Sequence, residues 1–106
     1  MAVINTSNGS EIVEVNGNSF QNIAGAATTT VKSGAGTLVK IVYNKPIASS
    51  VVTIYDNTAA SGTKIATITN PVALLQQQLY LPYEVKFSTG LTLVTSAADD
   101  ITVVYR

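Results

Sequence analysis

From Ala27 onward, short runs rich in Val, Ile, Leu, Thr and Tyr alternate with clusters of Gly, Asn, Asp, Ser and Pro. Their spacing is near the ~8–12 residues expected of a β-sandwich or barrel. The pattern predicts strands over Thr28–Lys32, Thr37–Tyr43, Val51–Tyr55, Lys64–Thr69, Gln77–Leu81, Tyr83–Ser88, Leu91–Thr95 and Ile101–Tyr105. The breaks have chemical causes: glycines in Ser33-Gly34-Ala35-Gly36 permit positive φ, Pro46 stops a strand, and Ser61-Gly62 closes the loop that opens at Asp56. Helix signals are confined to residues 71–78, where Asn70 has N-cap chemistry and Pro71 suits the first helical position. Strand side chains alternate between faces. That places Val39, Ile41 and Tyr43, Val52 and Ile54, Leu91 and Leu93, and Ile101, Val103 and Tyr105 in the core. The expected fold is an all-β, antiparallel β-sandwich of the jelly-roll kind, with about eight strands.

The opposite faces are also apolar: Leu38 and Val42 flank Lys40, and Val104 sits between Thr102 and Arg106. Two accounts fit. Apolar atoms make up over half of any folded surface, or another subunit covers part of this area.

Residues 1–26 differ in texture. Asn, Ser and Gly dominate residues 5–10 and 16–19, which is turn chemistry, with a short strand expected over Glu11–Val15 between them. This segment reads as an N-terminal arm attached to a sandwich domain of residues 27–106. Fully extended it reaches at most about 85 Å, enough to touch a neighbouring subunit. Ile12, Val13, Val15, Phe20 and Ile23 are its candidate partner-binding residues, while Glu11 and Glu14 solvate it.

Composition narrows the chemistry. The 106 residues suffice for one core and leave no room for a second. With no cysteine, disulfides, thiolate metal sites and cysteine nucleophiles are excluded; with no histidine, Ser-His-Asp catalysis and the commonest metal ligand go too. No catalytic residue, cofactor or metal site is assigned, and the chain is not expected to be an enzyme. Charged residues are 11% of the chain, six basic against six acidic, against about 25% in an average domain. Such a surface has no basic patch for phosphates, so nucleic acid is not an expected partner. Residues 1–14 lack the basic and apolar regions of a signal peptide, and no run approaches the ~20 apolar residues of a membrane helix. Soluble synthesis in the cytoplasm, with no membrane partner, is the expectation.

The remaining constellations read better as structure than as chemistry. Asp99-Asp100 is the only adjacent carboxylate pair; its side chains diverge on a strand or serve Asx hydrogen bonding in a turn, with a metal or acid–base role the lesser reading. Asp56-Asn57-Thr58 is oxygen-rich but has one carboxylate where a calcium loop needs several. Ser33-Gly34-Ala35-Gly36 joins two strands and lacks the Gly-Lys-Ser/Thr ending of a phosphate loop, so it is expected to be a hairpin turn. Tyr43, Tyr55, Tyr80, Tyr83 and Tyr105 suit a sugar-binding platform, though such tyrosines commonly bury the ring and expose only the hydroxyl.

Three stretches carry a resemblance: residues 29–38, residues 52–66 and the closing Asp100-Ile101-Thr102-Val103-Val104-Tyr105-Arg106. Over residues 28–106 the chain resembles small β-sandwich and jelly-roll structural proteins of tailed phages, the capsid decoration or cement proteins. The first 26 residues lie outside the resemblance. It implies a virion protein on the outer capsid surface, made in the host cytoplasm, that binds the major capsid protein and stabilises the shell. Such proteins commonly sit as trimers, so a homotrimer is implied, in which modest contacts sum through multivalency. The alternative is a glycan-binding or adhesion β-sandwich module of a virion fibre or cell-surface protein.

Overall fold

The computed structural model describes residues 2–5, 11–14, 18–72 and 79–106, and every regular element among them is a β-strand. In chain order these are β1 (Ala2–Asn5), β2 (Glu11–Glu14), β3 (Ser19–Ala24), β4 (Ala27–Ser33), β5 (Gly36–Lys45), β6 (Val51–Asp56), β7 (Thr63–Thr69), β8 (Leu79–Phe87), β9 (Gly90–Thr95) and β10 (Asp100–Tyr105). Among the described residues, strands β1 and β2 pair only with each other. The other eight form two four-stranded antiparallel sheets, ordered β3-β10-β5-β8 and β4-β9-β6-β7.

One apolar cluster joins the two sheets, which is the arrangement of a β-sandwich. Ile23, Leu38, Ile41, Tyr43, Phe87, Ile101 and Val103 enter it from the first sheet, and Val52, Ile54, Leu91 and Leu93 from the second. Burying each aliphatic side chain fully is worth about 1.5–3 kcal/mol, so this layer is the main term holding the sheets together. Along the chain, consecutive strands of the sandwich change sheet at every connection except β6–β7. The expected hairpin at Ser33-Gly34-Ala35-Gly36 is therefore an arch between sheets. Gly34 has φ of 96° there, and its N–H donates to the Thr89 carbonyl at 2.8 Å.

Three other expectations change. The division expected at residue 26 falls between two strands of the sandwich, because β3 pairs along its whole length with β10, from Ser19↔Tyr105 to Ala24↔Asp100. Its sequence hides this: β3 is an edge strand, and Ile23 is its one buried residue. Ile23, expected as a partner-binding residue, is thus part of the core. The break expected between Leu81 and Tyr83 is absent. Pro82 is accommodated within β8 because that strand lies at the sheet edge, where a missing ladder donor is tolerated.

The third change is a pair of bulges around Val39. Against β10, Leu38 opposes Tyr105 and Lys40 opposes Val104, leaving Val39 as the extra residue. Against β8, Leu38 opposes Val85 and Lys40 opposes Pro82, so Tyr83 and Glu84 share one position and Glu84 takes φ of 53°. A bulge shifts alternation by one. Leu38 consequently enters the central cluster, while Val39 is buried outside it. The other expected core residues are all buried except Tyr105, which is half-buried and packs against the cluster. Of residues 71–78, expected to carry a short helical turn, 73–78 lie outside the described residues.

Candidate interaction surface

The outward face of the β3-β10-β5-β8 sheet is built from positions that alternate with Ile23, Ile41, Tyr43, Ile101 and Val103. Register aligns them in two rows across the sheet. One row runs Phe20, Val104, Lys40, Pro82; the next runs Asn22, Thr102, Val42, Tyr80. Phe20 is 70% exposed and Tyr80 55%, both high for residues of that size, and Val42 and Val104 are half-buried between them. Lys40 extends over Tyr80, its Nζ 5.2 Å from the ring centroid, so the cation sits on an aromatic face.

A polar clamp borders the rows. The Asp100 carboxylate accepts from Asn22 Nδ2 at 2.7 Å and Asn44 Nδ2 at 3.1 Å, and Asn44 Nδ2 also donates to Thr102 Oγ1 at 2.9 Å. The Asn22 bond, then the Asn44 bond and the charge of Lys45, hold the Asp100 carboxyl below its ordinary value. The clamp ties β3, β10 and β5 together on the solvent side and makes this face a fixed surface.

The outward face of the other sheet is different in kind. Its rows run Thr28, Val94, Thr53, Thr67 and Thr30, Thr92, Tyr55, Lys64. The β6–β7 loop folds over part of it: Thr92 Oγ1 donates to the Asn57 carbonyl at 2.8 Å and Thr30 Oγ1 to the Thr58 carbonyl at 3.2 Å. Threonine and the chain's own loop satisfy this face.

The two ends of the sandwich hold the carboxylates noted in the sequence. At one end Asp99 is fully buried. Its carboxylate accepts from the Ile47 backbone N–H and the Ser50 hydroxyl, each at 2.5 Å; Ser50 Oγ in turn accepts from Asn70 Nδ2 at 3.0 Å. Asn70 Nδ2 also donates to the Ile47 carbonyl at 3.0 Å, and the Gly25 N–H donates to the Asp99 carbonyl at 3.2 Å. Four connections, after β3, β5, β7 and β9, thereby meet in one network, with Asn70 joined to Asp99 through Ser50. Asn70, expected as an N-cap, spends its amide nitrogen on this network. Tyr43 is buried, and its hydroxyl has no hydrogen-bond partner among the described residues; burial, then the negative charge of Asp99, raises its pKa well above the ordinary value.

At the other end Asp56 caps the β8–β9 turn. Its carboxylate accepts from the Ser88 N–H (3.0 Å to Oδ2), the Thr89 N–H (2.8 Å to Oδ1), the more distant Gly90 N–H and the Ser88 hydroxyl. The Ser88 and Thr89 N–H bonds hold its carboxyl below the ordinary value. Asn57 Oδ1 accepts from the Thr58 N–H at 2.8 Å, and its Nδ2 donates to the Ser61 carbonyl at 2.8 Å. These are turn contacts. Among the described residues no group of three or more carboxylates could hold a metal ion.

The expected partner-binding residues separate. Phe20 lies on the outward face; Ile23 is in the core; Ile12 and Val13 lie in β2, opposite Ile4 and Val3; Val15 lies outside the described residues. Of the five tyrosines only Tyr80 is exposed, while Tyr43 is buried and Tyr55, Tyr83 and Tyr105 are half-buried, which fits tyrosines that bury their rings and not a sugar-binding platform. Sequence reasoning missed Tyr80 and Pro82 as members of this face. Val42 beside Lys40 and the isolated Val104 were the signals that pointed to it, whereas Leu38, the other expected apolar flank of Lys40, is carried into the core by the bulge at Val39. Comparison with protein-family models, curated proteins and solved structures finds no match.

Proposed function

We propose that the chain is a jelly-roll structural protein of a virion: a capsid decoration or cement protein that binds the major capsid protein on the outer surface of the shell and stabilises it as a homotrimer. Two kinds of support stand behind this reading. The strand orders β3-β10-β5-β8 and β4-β9-β6-β7, with a change of sheet at nearly every connection, suit two interleaved Greek keys. The resemblance of residues 28–106 to phage decoration proteins points the same way.

The observation that carries the functional reading is the outward face bearing Phe20, Val42, Tyr80 and Val104. A rigid, weakly charged face with exposed aromatics is the surface a subunit of a larger assembly buries, aromatic residues being enriched in such interfaces. The reading assigns no catalytic residue and no cofactor, and involves neither nucleic acid nor a membrane.

The test is co-sedimentation of purified protein with preformed shells of a candidate host phage, followed by thermal or chemical challenge of the shells. Saturable binding with a raised disruption temperature is expected. Failure to bind any shell tried, together with a monomeric mass by light scattering, refutes the reading.

A further inference from the structure

The hairpin β1–β2 and the outward face of the β3-β10-β5-β8 sheet both lack a partner among the described strands. The hairpin pairs with neither four-stranded sheet. Its register sets Val3 opposite Val13 and Ile4 opposite Ile12, two apolar pairs between Ala2↔Glu14 and Asn5↔Glu11. A lone two-stranded hairpin is marginal in water and gains stability only by covering its apolar residues.

Size and charge relate the two. Strands of four residues are about 13 Å long, and a four-stranded sheet is about 14 Å across from first to last strand, so the hairpin matches the width of the two rows. Residues 1–26 contain Glu11 and Glu14 and no Lys or Arg, whereas residues 27–106 contain six basic residues against four acidic ones. Lys40 stands inside the apolar rows, beside Tyr80 and between Val104 and Pro82. It offers a cation where an acidic, apolar hairpin would lie.

We infer that the β1–β2 hairpin of one copy docks one of its two faces on the outward face of the β3-β10-β5-β8 sheet of a second copy: since successive strand residues lie on opposite faces, either the Val3–Val13 pair covers Phe20, Val42 and Tyr80 with Glu11 reaching Lys40, or the Ile4–Ile12 pair does so with Glu14. This rests on the reading of the chain as an assembling subunit, and not on the identity of any shell. Each copy carries one hairpin and one receiving face, so the contact is head-to-tail and closes into a ring if the rotation permits.

The experiment uses the full chain without shells. A zero-length carbodiimide reagent, which joins a carboxylate to an amine in contact with it, is applied to an equal mixture of unlabelled and 15N-labelled protein. The expected product is a cross-linked oligomer whose digest contains mixed-isotope peptides linking Glu11 or Glu14 to Lys40. Links confined to one isotope at monomer mass place the hairpin on its own sheet and overturn the inference; so does a stable oligomer without that link. In parallel, sedimentation velocity of Lys40→Glu and of Glu11→Lys/Glu14→Lys is expected to show self-association weakened about five- to tenfold, and the triple variant to recover it. Unchanged association in both charge variants also overturns it. Shell binding by a protein that never self-associates removes the docking and leaves the decoration reading intact. Self-association through this link without shell binding does the reverse.

Discussion

Replacing Ser50 with alanine tests whether the buried network around Asp99 holds the loop end of the sandwich together. Ser50 is 2% exposed, Asn70 4% and Asp99 fully buried, so water does not readily replace what is lost. The substitution removes the 2.5 Å bond to a carboxylate oxygen and the 3.0 Å bond from Asn70 Nδ2. A hydrogen bond to a charged group contributes about 1.5–3 kcal/mol and a neutral one about 1 kcal/mol, giving an expected loss of about 2–4 kcal/mol. Against a total of about 5–15 kcal/mol this is a large fraction. It corresponds to a fall in Tm of roughly 10–25 °C for a chain of this size. Urea denaturation followed by far-UV circular dichroism reads it as a midpoint lowered by about 1–3 M at unchanged slope. A second arm, Asn70→Ala alone and with Ser50→Ala, is expected to show coupling of about 1 kcal/mol, because the two side chains share one bond. A loss below about 0.5 kcal/mol, the range of an ordinary surface change, refutes the reasoning.

Three further outcomes are expected. Asp56 and Asp100 both have folded pKa values depressed below the ordinary 3.8. The stability they contribute is therefore complete above that value and lost as pH falls through the lower folded values: Tm should be level from about pH 7 to 5 and drop below about pH 4, with a shallower drop in Asp56→Asn. Gly90→Ala should destabilise by about 1–3 kcal/mol in the same urea assay, because a Cβ there meets the Asn57 carbonyl and Thr58 Cγ2 at 2.9 Å and the Lys32 carbonyl at 3.0 Å. Tyr43→Phe should leave stability unchanged or raise it by about 1 kcal/mol, since the lost hydroxyl has no partner among the described residues; a clear loss would show that the hydroxyl is bonded.

Strand positions were legible because each buried strand writes its period into the sequence: Val52 and Ile54, Leu91 and Leu93, and Ile101 and Val103 alternate and are all fully buried. Pairing was not legible, since alternation says which side of a strand is apolar and nothing of its neighbour. β3 escaped for a related reason: an edge strand with one core residue has almost no period to read. The exchange of Leu38 for Val39 depends on bulges set by β8 and β10, about 45 and 65 residues further along the chain. The Asp99 network was invisible for the same reason, joining Ile47, Ser50 and Asn70 across as many as 52 residues. The interaction face was half legible: valines opposite a core face stand out, but the register that sets Phe20 beside Val104 and Tyr80 beside Val42 comes only from folding.

The place of β10 bears on how the chain acquires its structure during synthesis. It is the last strand of the ten, yet it lies inside its sheet, between β3 and β5. Translation at about 5–20 residues per second separates the emergence of β3 from that of β10 by several seconds. Throughout that interval β3 and β5 cannot reach their native separation, and Ile23, Ile41 and Tyr43 lack the strand that is to lie between them. The second sheet waits in the same way for β9, which lies between β4 and β6, although its one sequential pair, β6–β7, can form as soon as both strands are out. The nascent chain thus holds an open slot in each sheet until β9 and β10 insert, and that waiting state, with its unpaired edges, is where chaperone binding or aggregation would act.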